Sequence, residues 1–278
     1  MVAVNVVNRI ALLQEPAKEF LPMRIEHIYR YPVKGLTAEA LEEVQLSPGA
    51  CLPHDRRFAL AQGDAPFDAA APAWLPKRHF ACLAMNARLA LLHSAFDPRS
   101  GVLAIRPPEG APLLGDTRTE AGRNAIAGFL AAQLGPEARG TPRFVEAEGH
   151  NFTDVARKCV SIIGLASLHA LEATAGTRLD PLRFRANIYV SGGLPWAEFD
   201  LLGQEIQLGT ARLRVFKRIS RCPATEVNPE TAERDADPPR WLRQHFGHAD
   251  LGIYAEVLEG GRIAVGDALE PLEGELLH

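Results

Sequence analysis

Short runs in which apolar and polar residues alternate occur along most of the chain, and this period of two is typical of β-strands. Turn residues, mainly glycine, proline and aspartate, separate the runs. The pattern predicts strands over 24–29, 40–46, 57–61, 144–146, 159–163, 187–190, 205–208 and 211–216. It also predicts two hairpins, one between 87–93 and 101–106 and one between 252–258 and 262–265.

Three stretches have helical features instead. Residues 121–134 predict a helix that stops at Gly135, and residues 239–246 predict a short helix with proline at its start. Residues 166–175 predict a third helix, capped by Ser167 and ended by glycine. Because strands outnumber helices and no regular βαβ alternation occurs, the predicted fold class is β-rich mixed α/β, built from small sheets or barrels.

The composition is that of a globular protein. Of the 278 residues, 47% are hydrophobic and 23% are charged, which is enough for one large domain or two smaller ones. Glycine and proline concentrate in residues 135–142, which suits a linker. The sequence therefore predicts an N-terminal extension (1–22), a first domain (23–140) and a second domain (141–278).

Charge and hydropathy exclude several classes of function. The net charge of -4 and the isoelectric point near 6.2 argue against nucleic-acid binding, which usually needs a basic domain. No run approaches the roughly 20 apolar residues of a membrane-spanning helix, and the N-terminus lacks a signal-peptide pattern. We therefore expect a cytoplasmic protein with no membrane span and no nucleic-acid partner.

The four cysteines are Cys51, Cys82, Cys159 and Cys222, which are far apart and form no CxxC pair. This spacing favours free thiols in a reducing compartment over a disulfide framework or a structural zinc site. The first three are expected to be small buried apolar side chains.

Cys222 differs from the other cysteines because Arg218 and Arg221 precede it and Pro223 follows it. Nearby cations favour the thiolate, which is the form that binds a metal or attacks an electrophile. The alternative, a buried cysteine in a core strand, fits this polar surrounding less well. Cys222 is therefore the residue most strongly predicted to carry chemistry.

Basic residues in three other segments are candidates for binding an anion. Lys34 follows the first strand, Arg56 lies in an Asp-Arg-Arg run, and Arg183 and Arg185 would share one face of a strand by period two. Each segment has a plainer alternative: a solvated lysine at a turn, a surface ion pair, or arginines in water.

Taken together, these segments resemble the MOSC family (molybdenum cofactor sulfurase C-terminal domain), preceded by its usual N-terminal β-barrel partner. Tyr31-Pro32-Val33-Lys34 and Asp55-Arg56-Arg57-Phe58 are similar to two motifs of the N-terminal domain. Segments similar to the MOSC core follow in the right order at 152–154, 166–168, 183–187, 220–222, 252–254 and 263–267. The resemblance implies a small β-barrel-like N-terminal domain and a C-terminal MOSC β-barrel domain with a few helices.

Within this family the pattern is similar to that of the mitochondrial amidoxime-reducing component and its bacterial relatives. The resemblance implies that Cys222 ligates molybdenum and that Lys34, Arg56 and Arg185 hold the phosphate and pterin of the molybdenum cofactor (Mo-molybdopterin). A thiolate is a soft ligand, which suits a metal already bound by sulfur. Lesser cofactor contacts are implied for Gly35, Thr153, Asn187, Ser220 and Arg221.

The resemblance also places Asp154 close to the metal and Tyr254 in the same pocket. The sequence departs from the family pattern at Gly35, where serine is usual, and at Ala186, where proline is usual. Neither change removes a charge. The expected Thr-Gln-Arg stretch of the N-terminal domain is poorly matched around Lys77-Arg78, which leaves the substrate contacts there undefined.

The function implied by the resemblance is a molybdenum-cofactor-dependent oxidoreductase that reduces small N-hydroxylated or related N–O substrates, with Asp154 managing protons. The dispersed cysteines form no iron–sulfur motif, so electrons are expected from a separate donor protein. Two alternatives stay open: a sulfur carrier or sulfurtransferase with a persulfide on Cys222, and a non-catalytic carrier of the cofactor. At the family level the resemblance also carries an association with pyridoxal phosphate binding.

Overall fold

The computed structural model describes residues 21–272. The strands are β1 (Met23–Arg30), β2 (Glu39–Leu41), β3 (Glu43–Leu46), β4 (Ala59–Ala61), β5 (His93–Asp97), β6 (Val102–Arg106), β7 (Leu113–Asp116), β8 (Arg143–Val145), β9 (Val160–Gly164), β10 (Ile188–Gly192), β11 (Glu205–Leu208), β12 (Ala211–Ser220), β13 (Asp250–Glu259), β14 (Gly261–Ala264) and β15 (Ala268–Pro271). The α-helices are α1 (Glu120–Leu134), α2 (Leu165–Ala175), α3 (Ala197–Asp200) and α4 (Pro238–Phe246). The predicted extension, residues 1–22, lies outside the described residues except for its last two.

Short 3-10 helices connect several of these elements. They occupy Lys77–His79, Ala87–Leu91, Gly135–Glu137, Pro181–Phe184 and Pro223–Glu226. Three of them contain a proline in their first turn, where its missing N–H costs nothing. Within residues 21–272, no helix has the length and apolar character needed to cross a membrane.

Seven strands close a barrel in the order β10, β9, β13, β12, β11, β15 and β1. Strand β1 completes it, because β1 pairs with β10 along one edge and with β15 along the other. Neighbours in the barrel are antiparallel except for β9 and β10, which are parallel. Strand β1 is thus part of a barrel whose other strands all come from residues after 159.

The alternation in β1 explains its place in the barrel wall. Met23, Ile25 and Ile28 are buried in the barrel core, while Arg24 and Glu26 face solvent. The register shifts between Ile25 and residue 27, and this irregularity brings Ile28 back to the inner face.

A second core lies in the N-terminal region, where a three-stranded sheet (β5, β6, β7) and a two-stranded sheet (β4, β8) pack with α1. Phe58 is fully buried between two other rings, 5.0 Å from the Phe96 centroid and 5.3 Å from the Phe144 centroid. Thr119 caps α1 by accepting a hydrogen bond from the Gly122 N–H at 3.0 Å. The β-rich fold class with few helices is confirmed.

The hairpin predicted between 87–93 and 101–106 is wrong at its first strand. Residues 87–91 form a 3-10 helix, and the partner of β6 is β5, which begins at His93. Asn86 turns the chain here, because its side chain accepts a hydrogen bond from the Cys82 N–H at 3.2 Å and its carbonyl accepts one from the Leu89 N–H. The apolar run at 87–91 predicts a strand, but the Asn86 side-chain contact bends the backbone into a 3-10 helix.

The hairpin predicted between 252–258 and 262–265 is also wrong. Strand β14 pairs with β3, while β13 pairs with β12 and β9. The chain bends at two glycines that touch other strands: a Cβ on Gly261 would lie 2.4 Å from the backbone of Thr210, and one on Gly260 would lie 2.8 Å from the Leu46 carbonyl oxygen. The glycines allow close backbone approach rather than a hairpin turn.

Ser167 does not cap α2. The cap position is Gly164, and Ser167 is fully buried one turn inside the helix. Its hydroxyl donates to the Glu198 carboxylate at 2.7 Å and accepts from the Trp196 N–H at 2.7 Å. Ser167 thus ties α2 to α3 instead of starting its own helix.

Candidate functional site

A cavity of about 290 Å³ lies among segments from both halves of the chain. All eleven residues named from the resemblance line it: Lys34, Gly35, Arg56, Thr153, Asp154, Arg185, Asn187, Ser220, Arg221, Cys222 and Tyr254. Their roles remain predictions, whereas their convergence on one cavity is a structural fact. We call it the thiol cavity after Cys222.

Lys34 projects from the end of β1 into the thiol cavity. Its backbone is fixed because its N–H donates to the Phe58 carbonyl at 2.8 Å. Its side chain is 8% exposed, and the ammonium donates to the Phe152 carbonyl at 2.9 Å and to the Asp154 carboxylate at 2.5 Å. Lys34 is therefore an ion-paired lysine, and the alternative of a solvated turn lysine is wrong.

Asp154 is held as a carboxylate. Burial opposes its ionisation, but the Lys34 ammonium, with a smaller contribution from Lys77, keeps the pKa of this carboxyl well below its ordinary value of 3.8. The Asp154 side chain is nevertheless 48% exposed. At neutral pH this group accepts hydrogen bonds but has no proton to donate, and its lowered pKa makes it a weak base.

Two arginines lie over the ring of Tyr31, at the wall of the cavity. The guanidinium carbon of Arg56 is 4.6 Å from the ring centroid, and that of Arg185 is 4.3 Å from it. Arg56 is paired with the buried Asp55 carboxylate at 2.6 Å. Both arginines have left-handed backbone (φ +46° and +52°), which non-glycine residues adopt only where the surrounding structure enforces it.

Arg185 has unused hydrogen-bonding capacity. Its Nη1 donates to the Leu36 carbonyl at 2.7 Å, but its buried Nη2 has no hydrogen-bond partner among the described residues. Burial lowers the pKa of Arg185 to about 10. A buried guanidinium with a free N–H group is a site at which an anionic ligand would gain a charge-assisted hydrogen bond.

Arg183 and Arg185 do not share the face of a strand, contrary to the prediction. Residues 181–184 form a 3-10 helix, and Arg185 follows it in a left-handed conformation. Both Nη groups of Arg183 have partners in the fold, because one pairs with Asp235 at 2.6 Å and the other donates to the Glu226 carbonyl at 3.0 Å. Its buried Nε has no hydrogen-bond partner among the described residues.

Cys222 lies between the end of β12 and the 3-10 helix at Pro223–Glu226, and its side chain is partly exposed. The sulfur contacts Lys77, whose Nζ is 3.0 Å from Sγ. Burial lowers the pKa of Lys77, but the hydrogen bond to Cys222 and its charge outweigh that effect, so the net pKa is raised. The sequence offered no signal for this contact, since Lys77 lies in a stretch that matches the family poorly.

The arginines next to Cys222 in sequence have other partners. Arg221 donates from Nε to the Leu251 carbonyl at 2.8 Å and from Nη1 to the Phe184 carbonyl at 3.0 Å. The guanidinium of Arg218 lies over the Phe199 ring at 4.3 Å. The cation in contact with the thiol is therefore a distant lysine, not the neighbouring arginines.

The remaining cysteines are buried, as predicted. Burial raises the pKa of each: to about 11 for Cys51, well above the ordinary value for Cys159, and also upward for Cys82. Cys82 and Cys159 line the thiol cavity, but burial makes them poor thiolates.

The other residues of the cavity serve the fold as well as the site. The Asn187 side chain accepts from the Ser161 N–H and hydroxyl and donates to the Tyr29 carbonyl at 3.2 Å. Gly35 has φ +89°, and a Cβ there would lie 2.9 Å from Leu89 Cδ1, so the usual serine would need a local shift. Burial raises the pKa of Tyr254 to about 12, so its hydroxyl keeps its proton.

A second cavity of about 720 Å³ adjoins the first. It is lined by β5, β6, the segment 36–38 and the 3-10 helix at 181–184, largely through apolar side chains. We call it the apolar cavity. The two cavities share three lining residues: Leu83, Arg183 and Arg185.

Two family models match the chain: the MOSC N-terminal beta barrel domain over residues 22–141 and the MOSC domain over residues 147–270. The chain belongs to the MOSC family. The predicted arrangement of a barrel-type N-terminal domain before a MOSC domain is confirmed. The MOSC family is associated with binding of the molybdenum cofactor.

Solved structures similar to this MOSC protein include the YuaD protein from Bacillus subtilis, which is 16% identical, with 91% of this chain and 97% of that chain covered and a TM-score of 0.41. Another is YiiM from Geobacillus stearothermophilus, which is 24% identical, with 42% of this chain and 56% of that chain covered and a TM-score of 0.34. A comparison with curated proteins finds no match.

Proposed function

We propose that this protein binds the molybdenum cofactor in the thiol cavity and uses it to reduce small N-hydroxylated or related N–O substrates. The observation that carries the proposal is the placement of a partly exposed thiol in a cavity with a large excess of positive charge. The basic lining residues are Lys34, Arg56, Lys77, Arg183, Arg185, Lys217, Arg218 and Arg221, and the acidic ones are Asp55 and Asp154.

The donor set fits the proposed cofactor at both of its ends. An anionic phosphate suits the cations of Lys34, Arg56 and Arg185, and the free N–H group of Arg185 is the one that still lacks a partner. A metal bound by soft sulfur ligands suits the thiol of Cys222. Gly35, Thr153, Asn187, Ser220 and Arg221 are proposed as lesser contacts.

When bound, the cofactor would supply a redox-active metal that exchanges two electrons with the substrate. The chain's own residues determine which hydrogen-bond donors and acceptors surround the cofactor. Tyr254 keeps its hydroxyl proton and is a hydrogen-bond donor, whereas Asp154 is a carboxylate and an acceptor. We therefore assign Asp154 the role of a hydrogen-bond acceptor that positions a proton donor, rather than that of an acid. The electrons are proposed to come from a separate donor protein.

A second candidate function is sulfur transfer through a persulfide on Cys222. The contact that favours it is the Lys77 ammonium at 3.0 Å from Sγ, because a cation there stabilises a terminal persulfide anion as well as a thiolate. Mass spectrometry separates the two functions: an added sulfur on Cys222, without molybdenum, supports transfer. Bound cofactor with no reduction of N-hydroxylated compounds supports a non-catalytic carrier.

The decisive experiment measures molybdenum and pterin in protein made in a host that synthesises the cofactor. Wild type is expected to hold both, and Cys222→Ser is expected to lose molybdenum. The matched control is Cys82→Ser, which removes a buried thiol from the same cavity and is expected to keep the metal. A Cys222→Ala protein that retained stoichiometric molybdenum would disprove the ligand role.

A further inference from the structure

Lys77 and Cys222 form an amine–thiol pair. Their side chains meet at 3.0 Å although 145 positions separate them in the chain. Lys77 opens the 3-10 helix at Lys77–His79, and Cys222 directly precedes the one at Pro223–Glu226, where its carbonyl accepts from the Thr225 N–H at 3.0 Å. Backbone hydrogen bonds hold the chain on both sides, and the amine and the thiol meet in this arrangement without any rearrangement.

Small reagents can reach the pair, and Cys222 is more exposed than the other cysteines. Cys222 borders the thiol cavity and is partly exposed, whereas the other three cysteines are buried. Cys82 lies on the carbonyl side of Lys77, with its sulfur 3.9 Å from the Lys77 oxygen. The group that touches the Cys222 sulfur is therefore an amine and not a second thiol.

We propose that, in the protein without cofactor, a peroxide oxidant converts this pair into a covalent cross-link between Lys77 Nζ and Cys222 Sγ. In the first step the thiolate attacks the peroxide: an S–O bond forms, the O–O bond breaks, sulfur is oxidised by two electrons and the peroxide is reduced. The product is a sulfenic acid, which condenses with nitrogen nucleophiles.

The ammonium proton of Lys77 neutralises the hydroxide that leaves the peroxide in the first step, and the resulting amine attacks the sulfenic sulfur in the second step. The N–S bond forms, the S–O bond breaks and water leaves with one amine proton, with no further electron transfer. The overall balance is Cys–SH + Lys–NH2 + H2O2 → Cys–S–NH–Lys + 2 H2O. Two equivalents of a thiol reductant reverse it, giving back the free cysteine and lysine and one disulfide of the reductant.

The cross-link would protect the chain's most exposed thiol. A sulfenic acid left uncaptured is oxidised further to sulfinic and sulfonic acids, which are irreversible in most proteins. Capture by Lys77 stops oxidation at a reversible stage. The proposal does not depend on the proposed function, because the amine and the thiol meet in the chain without any ligand.

The test treats reduced, full-length, cofactor-free protein with equimolar hydrogen peroxide and records its intact mass. Wild type is expected to lose two hydrogen atoms, about 2 Da, and to recover them with dithiothreitol. Digestion with a glutamate-specific protease is expected to give one joined pair of peptides, linked between residues 77 and 222. A wild-type protein that only gains oxygen, in steps of about 16 Da, would overturn the proposal.

Two variants exclude the competing chemistry. Lys77→Arg keeps a cation beside the thiol but has no amine nucleophile, and it is expected to gain oxygen without losing two hydrogens. Cys82→Ser is expected to cross-link like wild type. If Cys82→Ser prevents the loss of two hydrogens, or Lys77→Arg permits it, the product is a disulfide or another bond and the proposal is wrong.

A further readout separates this inference from the proposed function. In the cross-link the sulfur is bonded to nitrogen and is no longer a thiolate. Cross-linked protein is therefore expected to bind no molybdenum until it is reduced. If the cross-link forms and metal uptake is unchanged, the ligand role of Cys222 fails and the cross-link stands. If metal uptake requires Cys222 but no cross-link forms, the cross-link proposal fails and the ligand role of Cys222 stands.

Discussion

The thiol cavity and the apolar cavity share a wall at Leu83, Arg183 and Arg185, yet they differ in size and in chemistry. The apolar cavity has more than twice the volume, about 720 Å³ against about 290 Å³. The thiol cavity is lined by Asp154, whose pKa is lowered, and by Lys77, whose pKa is raised. It also contains the partly exposed thiol of Cys222. Volume alone would point to the apolar cavity, whereas shifted pKa values, which are typical of catalytic groups, point to the thiol cavity.

The difference between the cavities comes from what their walls are made of. The apolar cavity is bounded by β-strand side chains, which alternate and leave small apolar groups such as Ala95 and Ala104 facing it. The thiol cavity is bounded by strand ends and 3-10 helices, where the chain changes direction. Such turns bring polar residues from distant segments to one point.

The strongest test of this comparison is at the shared wall. Arg185→Met is expected to lower cofactor affinity roughly tenfold or more, because a charge-assisted hydrogen bond contributes about 1.5–3 kcal/mol. The free energy of unfolding of the cofactor-free protein is expected to change by no more than about 1 kcal/mol, since an incompletely paired buried cation stabilises little. Pterin content after dialysis and denaturant unfolding measure the two effects.

The control for Arg185→Met is Lys217→Met, which removes a solvent-exposed cation from the same cavity. It is expected to alter pterin retention far less. Equal losses in both variants would mean that net charge, and not the position of Arg185, determines binding.

A smaller effect is expected from Asp154→Asn, and it depends on pH. The folded-state pKa of Asp154 lies below the unfolded value, so its ionised form stabilises the fold above the unfolded pKa. That contribution is lost as the pH falls below about 4 toward the folded-state pKa. Because the side chain is 48% exposed and screened by solvent, we expect at most about 1 kcal/mol at neutral pH.

Thermal unfolding of wild type and Asp154→Asn across the acid range checks this prediction. The gap between their melting temperatures should be widest near neutrality and should close in acid. A gap that widens as the pH falls would show that the Lys34–Asp154 pair does not hold the carboxyl ionised.

The smallest effect is expected from filling the apolar cavity. Ala104→Leu adds volume from β6 at a position that lines this cavity and not the thiol cavity. Molybdenum content is expected to stay within about twofold of wild type, which is under 0.5 kcal/mol. A larger loss of metal would show that the two cavities act as one site, and the comparison between them would no longer hold.

The local elements were largely predictable from the sequence. Alternation located β1 and β11 closely, and the glycine after residue 134 located the end of α1. These signals work because pleat, helical period and end caps act over a few residues. The eleven site residues were named through the resemblance of short motifs.

The contacts that decide the site were not predictable in this way. Arg183 and Arg185 differ in role because the Nη groups of Arg183 bind Asp235 and the Glu226 carbonyl, whereas Nη2 of Arg185 has no hydrogen-bond partner among the described residues. No local pattern distinguishes the two arginines. Strands β13 and β14 separate because close backbone contacts at two glycines favour pairing of β14 with β3. Both outcomes depend on segments far away in the sequence.

The sequence by itself determined a β-rich chain with a few capped helices and a set of basic residues around one unusual cysteine. Only the tertiary structure decided that Lys77 is the cation at Cys222, that Arg221 binds backbone carbonyls, and that Asp154 is kept ionised by Lys34. The physical reason is distance along the chain. Periodicity and capping reflect interactions between near neighbours, whereas charge pairing in a cavity depends on how barrel closure and loop packing bring remote segments together.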